Sequence, residues 1–181
     1  REILFGAEAP RFTGRVAYRT TFPASLLGKD QINPARTKWW GEDRHIVIYY
    51  ITANRDEVYF VTSQPETAEW LTPESWSSKG HIEELRDAFS HFHPEVRRVL
   101  AACREVHKWA LLERDPLPRW SKGRVVIMGD AAHPMTPYMA QGAASALEDA
   151  AVLFRCMSEL KLEPSGRAFV AFEATRKERA S

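Results

Sequence analysis

Three stretches are rich in aromatic and β-branched residues: Arg15 to Phe22, His45 to Thr52, and Glu57 to Ser63, the last following the turn-like Ala53-Asn54-Arg55-Asp56. They predict strands of an antiparallel sheet. Residues 64 to 80 carry Pro65, Pro73, several serines and Gly80, a loop in which Ser77 or Ser78 can cap a following helix. Ile82, Leu85, Phe89 and Phe92 then recur at helical spacing, and Pro94 stands where a second helix would begin before Val96, Val99 and Leu100. Val106 to Glu113 reads as one more strand.

After Pro116 and Pro118 the pattern changes. Arg124-Val125-Val126-Ile127-Met128 is a short apolar run of the kind that forms a parallel strand buried on both faces. It ends at Gly129-Asp130, passes a proline-bearing loop and enters a predicted helix with an apolar stripe of Ala143, Leu147, Ala150, Phe154 and Met157. A last helix fits Ser165 to Arg179, its Lys/Arg/Glu-rich end reading as a solvated face. The fold class is α+β to α/β, an antiparallel sheet with helices followed by part of a layered, Rossmann-like unit.

Composition narrows the function classes. The chain has 181 residues, with 25 Lys and Arg against 24 Asp and Glu, so no net field favours a phosphate backbone, and no nucleic-acid partner is expected. The longest apolar run, Ile46 to Ile51, is six residues, against about 18 for a membrane span. Cys103 and Cys156 make no disulfide framework, which fits buried thiols in a reducing, cytoplasmic setting. His91 and His93 have the wrong spacing for two metal ligands on one helix face, and no G-x-S-x-G is present. The six tryptophans, among them Trp39, Trp40, Trp109 and Trp120, read as core or pocket walls.

The candidate chemistry lies at 123–153, GRVVIMGDAAHPMTPYMAQGAASALEDAAVL. An acid just past a strand end in an α/β layer can accept a hydrogen bond from a polyol hydroxyl, and Asp130 has that position. Gly129 permits a tight turn, while Gly142 opens a helix whose first N–H groups favour partial negative charge. A polar, anionic cofactor would fit; a plain strand, turn and capped helix is the other reading. On the sheet, His45, Val47, Tyr49 and Ile51 share one face by period-2 alternation, with His45 and Tyr49 about 13 Å apart along the strand.

These residues resemble the single-component FAD-dependent aromatic hydroxylases, the group of the 4-hydroxybenzoate and salicylate hydroxylases. The second flavin motif of that family runs Gly-Arg, three apolar residues, one variable residue, Gly-Asp-Ala-Ala-His, proline, Gln-Gly-Ala and Glu-Asp-Ala, and residues 123–153 show each part in order. The likeness continues through Gly14 to Arg19, Lys38 to His45 and Arg55 to Thr62, where it is similar to the hydroxynicotinate-acting branch. It implies FAD as cofactor, NADH or NADPH as co-substrate, O2, and a 6-hydroxynicotinate- or salicylate-like aromatic acid hydroxylated through a flavin C4a-hydroperoxide. Gly129, Asp130, Pro137, Gly142, Ala143 and Ala144 would bind the cofactor, Asp130 at the ribityl chain, Pro137 beside the reactive ring edge and 142–144 through backbone N–H groups. Pro137 and Tyr138 would also face the substrate beside His45 and Tyr49, with His45 as base or proton relay and Tyr49 as positioning donor. His133 would make a structural hydrogen bond. Ala140 stands where the wider family often has glycine, and Arg36 where the hydroxynicotinate branch has a pocket-side cysteine.

The same resemblance divides the chain into 1–11, the end of a flavin-domain segment; 12–115, a substrate-binding sheet domain; 116–160, the returning part of the FAD domain; and 161–181, a C-terminal helix. The nine glycines contain no G-x-G-x-x-G, so the sequence reads as a fragment lacking the N-terminal ADP-binding segment, inactive by itself, with a homodimer as a further partner. Alternatives are another FAD oxidoreductase on the same scaffold, a halogenase or reductase, or a flavin-free binding module.

Overall fold

The computed structural model describes residues 1–29, 32, 36–67, 78–160 and 166–180, with the side chain of Ile3 excepted. They divide into two compact units, one formed by residues 12–111 and the other by 1–11 with 112–181.

In the first unit, strands β1 (Arg11–Pro23), β2 (Arg36–Trp40), β3 (His45–Tyr50), β4 (Glu57–Pro65), β5 (Ser78–Gly80) and β6 (Val106–Glu113) form one sheet in the order β2-β3-β4-β1-β6-β5. β1–β4, β2–β3, β3–β4 and β5–β6 pair antiparallel. Alternation sends Val16, Tyr18 and Phe22 of β1, Ile46 and Ile48 of β3, and Val58 and Phe60 of β4 to one face. There they pack with Leu85, Phe89, Phe92, Val96, Val99 and Leu100 from the helical segment, all buried. Burying each such side chain contributes about 1.5–3 kcal/mol, which fixes the register and leaves His45, Val47 and Tyr49 on the opposite face. Ile51 lies beyond the strand end and is 45% exposed.

The helices on the core side are α2 (Ile82–Ala88) and α3 (Pro94–Ala102). Pro94 starts α3 as expected, and the His93 ring accepts the Glu95 N–H at 3.2 Å as its N-cap. Arg86 of α2 donates to the carbonyls of Leu100, Ala101 and Cys103 at the far end of α3, placing a cation at the negative helix terminus. Two expectations need correction. Ser78 caps no helix: it opens β5, which pairs with β6, and α2 starts after His81 without a side-chain cap; Ser77 lies outside the described residues. Arg36 to Trp40, not anticipated as a strand, pairs with β3 along its whole length.

The second unit holds the short α1 (Glu2–Phe5), a hairpin of β7 (Ser121–Lys122) and β8 (Val125–Val126), and helices α4 (Gly142–Glu159) and α5 (Arg167–Ala180). The 124–128 run is therefore no parallel strand buried on both faces. It pairs antiparallel with β7, Val125 is 49% exposed, and no second strand flanks it among the described residues. The stripe expected on α4 is also displaced: Leu147 and Phe154 are nearly three-quarters exposed. The core face of α4 carries Asp149, Val152, Leu153, Cys156 and Met157, packed with Trp120, Ala168 and Phe172. Both cysteines are buried and unpaired with each other. No helix among the described residues is long and apolar enough to cross a membrane.

Candidate functional site

The segment after β8 turns at Gly129, whose φ of 56° lies in the left-handed region that glycine enters without steric cost. A Cβ there would also stand 3.3 Å from that of Ala146. The Gly129 carbonyl accepts the N–H groups of Ala132 and His133, both at 2.9 Å, closing a 3₁₀ turn over Gly129–Ala131 that holds Asp130 out on the surface. A second 3₁₀ turn, Pro137–Met139, exposes Pro137, half-buries Tyr138 and ends at Ala140 with φ 52°. That conformation costs an L-residue roughly 1–2 kcal/mol, which explains why glycine is at home at this position.

Helix α4 then begins at Gly142. Gln141 supplies no side-chain cap, and the first intrahelical bond runs from the Ser145 N–H to the Gln141 carbonyl at 2.8 Å. The N–H groups of Gly142, Ala143 and Ala144 thus lack helical acceptors and carry the positive end of the macrodipole. A Cβ on Gly142 would sit 3.8 Å from the Asp130 carboxylate, so a hydroxyl acceptor stands beside the uncapped start of the helix. These residues fit a flavin: the carboxylate suits a polyol hydroxyl, and the helix terminus suits a ring system that becomes anionic on reduction.

What fixes this loop is Asp149, which is fully buried. Its Oδ2 accepts the Gly129 N–H at 2.9 Å and His133 Nε2–H at 2.6 Å, and its Oδ1 accepts Arg176 Nε–H at 2.7 Å. An ionised carboxylate only accepts, so the proton on His133 sits on Nε2. The expected structural bond of His133 is made here, and its ring packs 4.9 Å from that of Trp120. Burial alone would raise the Asp149 pKa, but the bonds from Arg176, Gly129 and His133 together hold it below the usual value. Arg176 also binds Glu148 at 2.7 Å and the Ser145 carbonyl at 3.2 Å, and Arg179 grips Glu148 through two 2.8 Å bonds. Hydrogen bonds from Arg179 and Arg176 push the Glu148 pKa down to about 2 against the opposing effect of burial.

Arg176 corrects the expectation of a solvated helix end, because it is 3% exposed. The sequence held a signal for it: Ala168, Phe172, Arg176 and Ala180 recur every four residues and are all buried. An arginine in such a stripe needs a carboxylate partner, and Asp149 supplies it.

In the sheet unit, His45 is buried and packs 4.9 Å from the Trp40 ring. Burial first, then the charges of Lys38 and Arg15, lower its pKa to about 4. It therefore stays neutral well below pH 7, where a histidine with the ordinary value near 6.5 assumed from sequence takes up a proton. The Tyr49 ring lies 5.1 Å from that of Tyr59, and the Arg36 guanidinium stands 5.7 Å over it. His45 and Tyr49 thus share the sheet unit, while Pro137 and Tyr138 belong to the helical one. His93 is used by the α3 cap and by stacking on Trp39 at 4.3 Å. Among the described residues no group of three His, Cys, Asp or Glu could hold a metal ion.

Residues 24–180, which include this loop, its Gly-Asp turn and the uncapped helix, match the family model described as FAD binding domain; the chain belongs to that family, whose cofactor is FAD. Over its full length the chain is 50% identical to 6-hydroxynicotinate 3-monooxygenase of Bordetella bronchiseptica, covering 47% of that protein. It is 48% identical to the enzyme of the same name from Pseudomonas fluorescens, again across 47% of it. The chain thus spans about half the length of the curated relatives it matches. A solved salicylate hydroxylase in complex with substrate superimposes with a TM-score of 0.83 at 26% identity, over 97% of this chain and 46% of that one. The 2,6-dihydroxypyridine-3-hydroxylase of Arthrobacter nicotinovorans shares the fold, with a TM-score of 0.80 at 17% identity over 99% of this chain and 51% of that one.

Proposed function

We propose that this chain serves an FAD-dependent monooxygenase that uses NAD(P)H and O2 to hydroxylate an aromatic acid of the 6-hydroxynicotinate or salicylate kind. The observation that carries this reading is the loop at 129–144, where Asp130 stands beside the uncapped start of α4 in a chain 50% identical to such an enzyme. Gly129, Asp130, Pro137, Gly142, Ala143 and Ala144 would hold the FAD. When bound, the flavin supplies the redox chemistry, accepting hydride and activating oxygen.

The chain's own part is to bind, orient and handle protons. Asp130 would accept a hydrogen bond from a hydroxyl of the cofactor, and the α4 terminus would favour negative charge on it by about 0.3–1 kcal/mol, more where water is excluded. His45 and Tyr49 receive the substrate ring. A phenol with a pKa near that of tyrosine gives up its proton to a base of pKa about 4 at a cost of roughly 8 kcal/mol, from about 1.4 kcal/mol per unit. Neutral His45 therefore starts as the acceptor of a substrate hydroxyl bond. An anionic substrate that offsets the charges of Lys38 and Arg15, the lesser causes of the lowered His45 pKa after burial, makes the histidine a stronger base.

The test is the FAD-loaded, full-length protein given NADH or NADPH with a panel of hydroxylated pyridine and benzene carboxylates. Substrate-dependent NAD(P)H oxidation matched by hydroxylated product supports the reading, and oxidation without any hydroxylated product refutes it.

A further inference from the structure

One buried arginine ties together parts of the 129–149 segment that the backbone by itself leaves separate. Arg176 Nε–H donates to Asp149 Oδ1 at 2.7 Å, and Nη2 donates to the carbonyl and the hydroxyl of Ser145 at 3.2 and 3.1 Å. The remaining nitrogen, Nη1, donates to Glu148 at 2.7 Å. Asp149 in turn accepts the Gly129 N–H at 2.9 Å. A continuous chain of bonds therefore runs from the residue before Asp130, through Asp149 and Arg176, to the first turns of α4.

We propose that Arg176 is a positioning residue for the flavin: by holding Asp149 and Ser145 at once it fixes the Asp130 carboxylate against the start of α4, and so sets how strongly the site favours reduced over oxidised flavin. This rests on the reading of 129–144 as the flavin site and names the side chain that gives that site its shape. A buried ion pair adds little net stability compared with apolar packing of the same volume, so stability alone is a weak reason to bury Arg176 to 3% exposure. What the guanidinium adds is geometry. Its planar fork reaches three residues with three nitrogens, which a single-point cation cannot do.

The turn and the helix are close enough for such a link to matter. A Cβ on Gly129 would stand 3.3 Å from the Cβ of Ala146, the neighbour of Ser145, and one on Gly142 would stand 3.8 Å from Asp130 Oδ1. Gln141 gives α4 no side-chain cap, so its start is steadied from behind, by the fork on Ser145. Arg179, one turn further along α5, is 69% exposed and holds Glu148 alone, touching neither the turn nor Ser145. A helix start favours negative charge only within its first turn. Oxidised flavin is neutral and reduced flavin anionic, so a site that loses this alignment loses about two- to fivefold of its preference for the reduced form.

The experiment uses the full-length, FAD-loaded protein and reads two quantities: FAD affinity by flavin fluorescence, and the midpoint potential of the bound flavin by titration against a reference dye. Arg176→Lys keeps a buried cation beside Asp149 and loses the fork. Its potential falls, the ratio of reduced to oxidised affinity dropping about two- to fivefold, and FAD affinity falls with it. Ser145→Ala shifts the ratio the same way by less, and adds nothing in the Arg176→Lys background, where the bond it removes is already gone. Arg179→Gln leaves both quantities at wild-type values. A wild-type potential in Arg176→Lys, with or without weaker FAD binding, overturns the proposal and makes Arg176 purely structural; so does full additivity of the two substitutions. Should Arg176→Lys fail to fold, a wild-type potential in Ser145→Ala overturns it. Asp130→Ala separates the two readings: wild-type FAD affinity there removes the 129–144 flavin site and this proposal with it, whereas weakened binding beside a wild-type Arg176→Lys overturns this proposal alone.

Discussion

Replacing Asp149 with asparagine removes one charge and almost no volume at the point where the 129–133 loop, α4 and α5 meet. The carboxylate receives three bonds, from the Gly129 N–H, His133 and Arg176. An amide keeps one accepting oxygen. If that oxygen faces Gly129 and His133, the new NH2 opposes Arg176 Nε–H; if it faces Arg176, the Gly129 N–H is left buried without an acceptor. Arg176 retains Glu148 at 2.7 Å, so the loss falls near the lower end of the 3–5 kcal/mol typical of breaking a buried pair, about 3 kcal/mol. Against a usual total of about 5–15 kcal/mol that is a large fraction. Urea unfolding monitored by tryptophan fluorescence measures it, and hydrogen exchange locates it: amides at 129–133 should lose protection while those of β3 and β4 keep theirs. Glu148→Gln, whose side chain is 42% exposed, should cost far less. Because the folded Asp149 pKa lies below its unfolded value, its stabilisation is complete above about pH 4 and is lost as pH falls through the folded pKa. The difference between wild type and Asp149→Asn should therefore be full at pH 7 and shrink on acidification. Wild-type unfolding and wild-type protection at Gly129 in the variant would refute this account of the loop.

Asp130→Ala should weaken FAD binding by about 1.5–3 kcal/mol, the worth of a hydrogen bond to a charged group, measured by flavin fluorescence in the full-length protein; unchanged affinity would remove Asp130 from the cofactor site. The isolated 181-residue polypeptide, which has no G-x-G-x-x-G, should purify colourless, and a stoichiometric flavin spectrum would contradict that. His45→Ala should slow product formation by about 10²–10⁴ while flavin reduction stays near the wild-type rate in stopped flow, with hydrogen peroxide released in place of product. Tyr49→Phe should cost about 0.5–1.5 kcal/mol, chiefly in substrate affinity. Coupled, wild-type turnover in His45→Ala would return that histidine to a purely structural role.

The sequence was most legible where one physical cause acts alone. Strands β1, β3, β4 and β6 are written in β-branched and aromatic residues, and Pro94 marks its helix start because its missing N–H costs nothing there. β2 was hidden because Arg-Thr-Lys-Trp-Trp sets cations and rings on the solvent-side face, where no apolar alternation shows. The 124–128 run misled because a continuous apolar segment looks the same whether one face or both are buried. On α4 two apolar faces compete, and only the packing of α5 selects the one bearing Val152 and Cys156 over that bearing Leu147 and Phe154. The motif at 129–144 was legible as a glycine turn leading into a helix; the side chains that brace it were not, since the pairing of Asp149 with Arg176 joins positions 27 residues apart.

The most direct test of the central claim follows the oxygen atom. Full-length protein, FAD, NAD(P)H and a hydroxylated pyridine or benzene carboxylate are incubated under ¹⁸O2, and the product is weighed by mass spectrometry. The account predicts a new ring hydroxyl carrying one ¹⁸O from the gas, formed in step with NAD(P)H oxidation. A product that carries oxygen only from water, or NAD(P)H oxidised with no oxygen entering any aromatic acid, would contradict it.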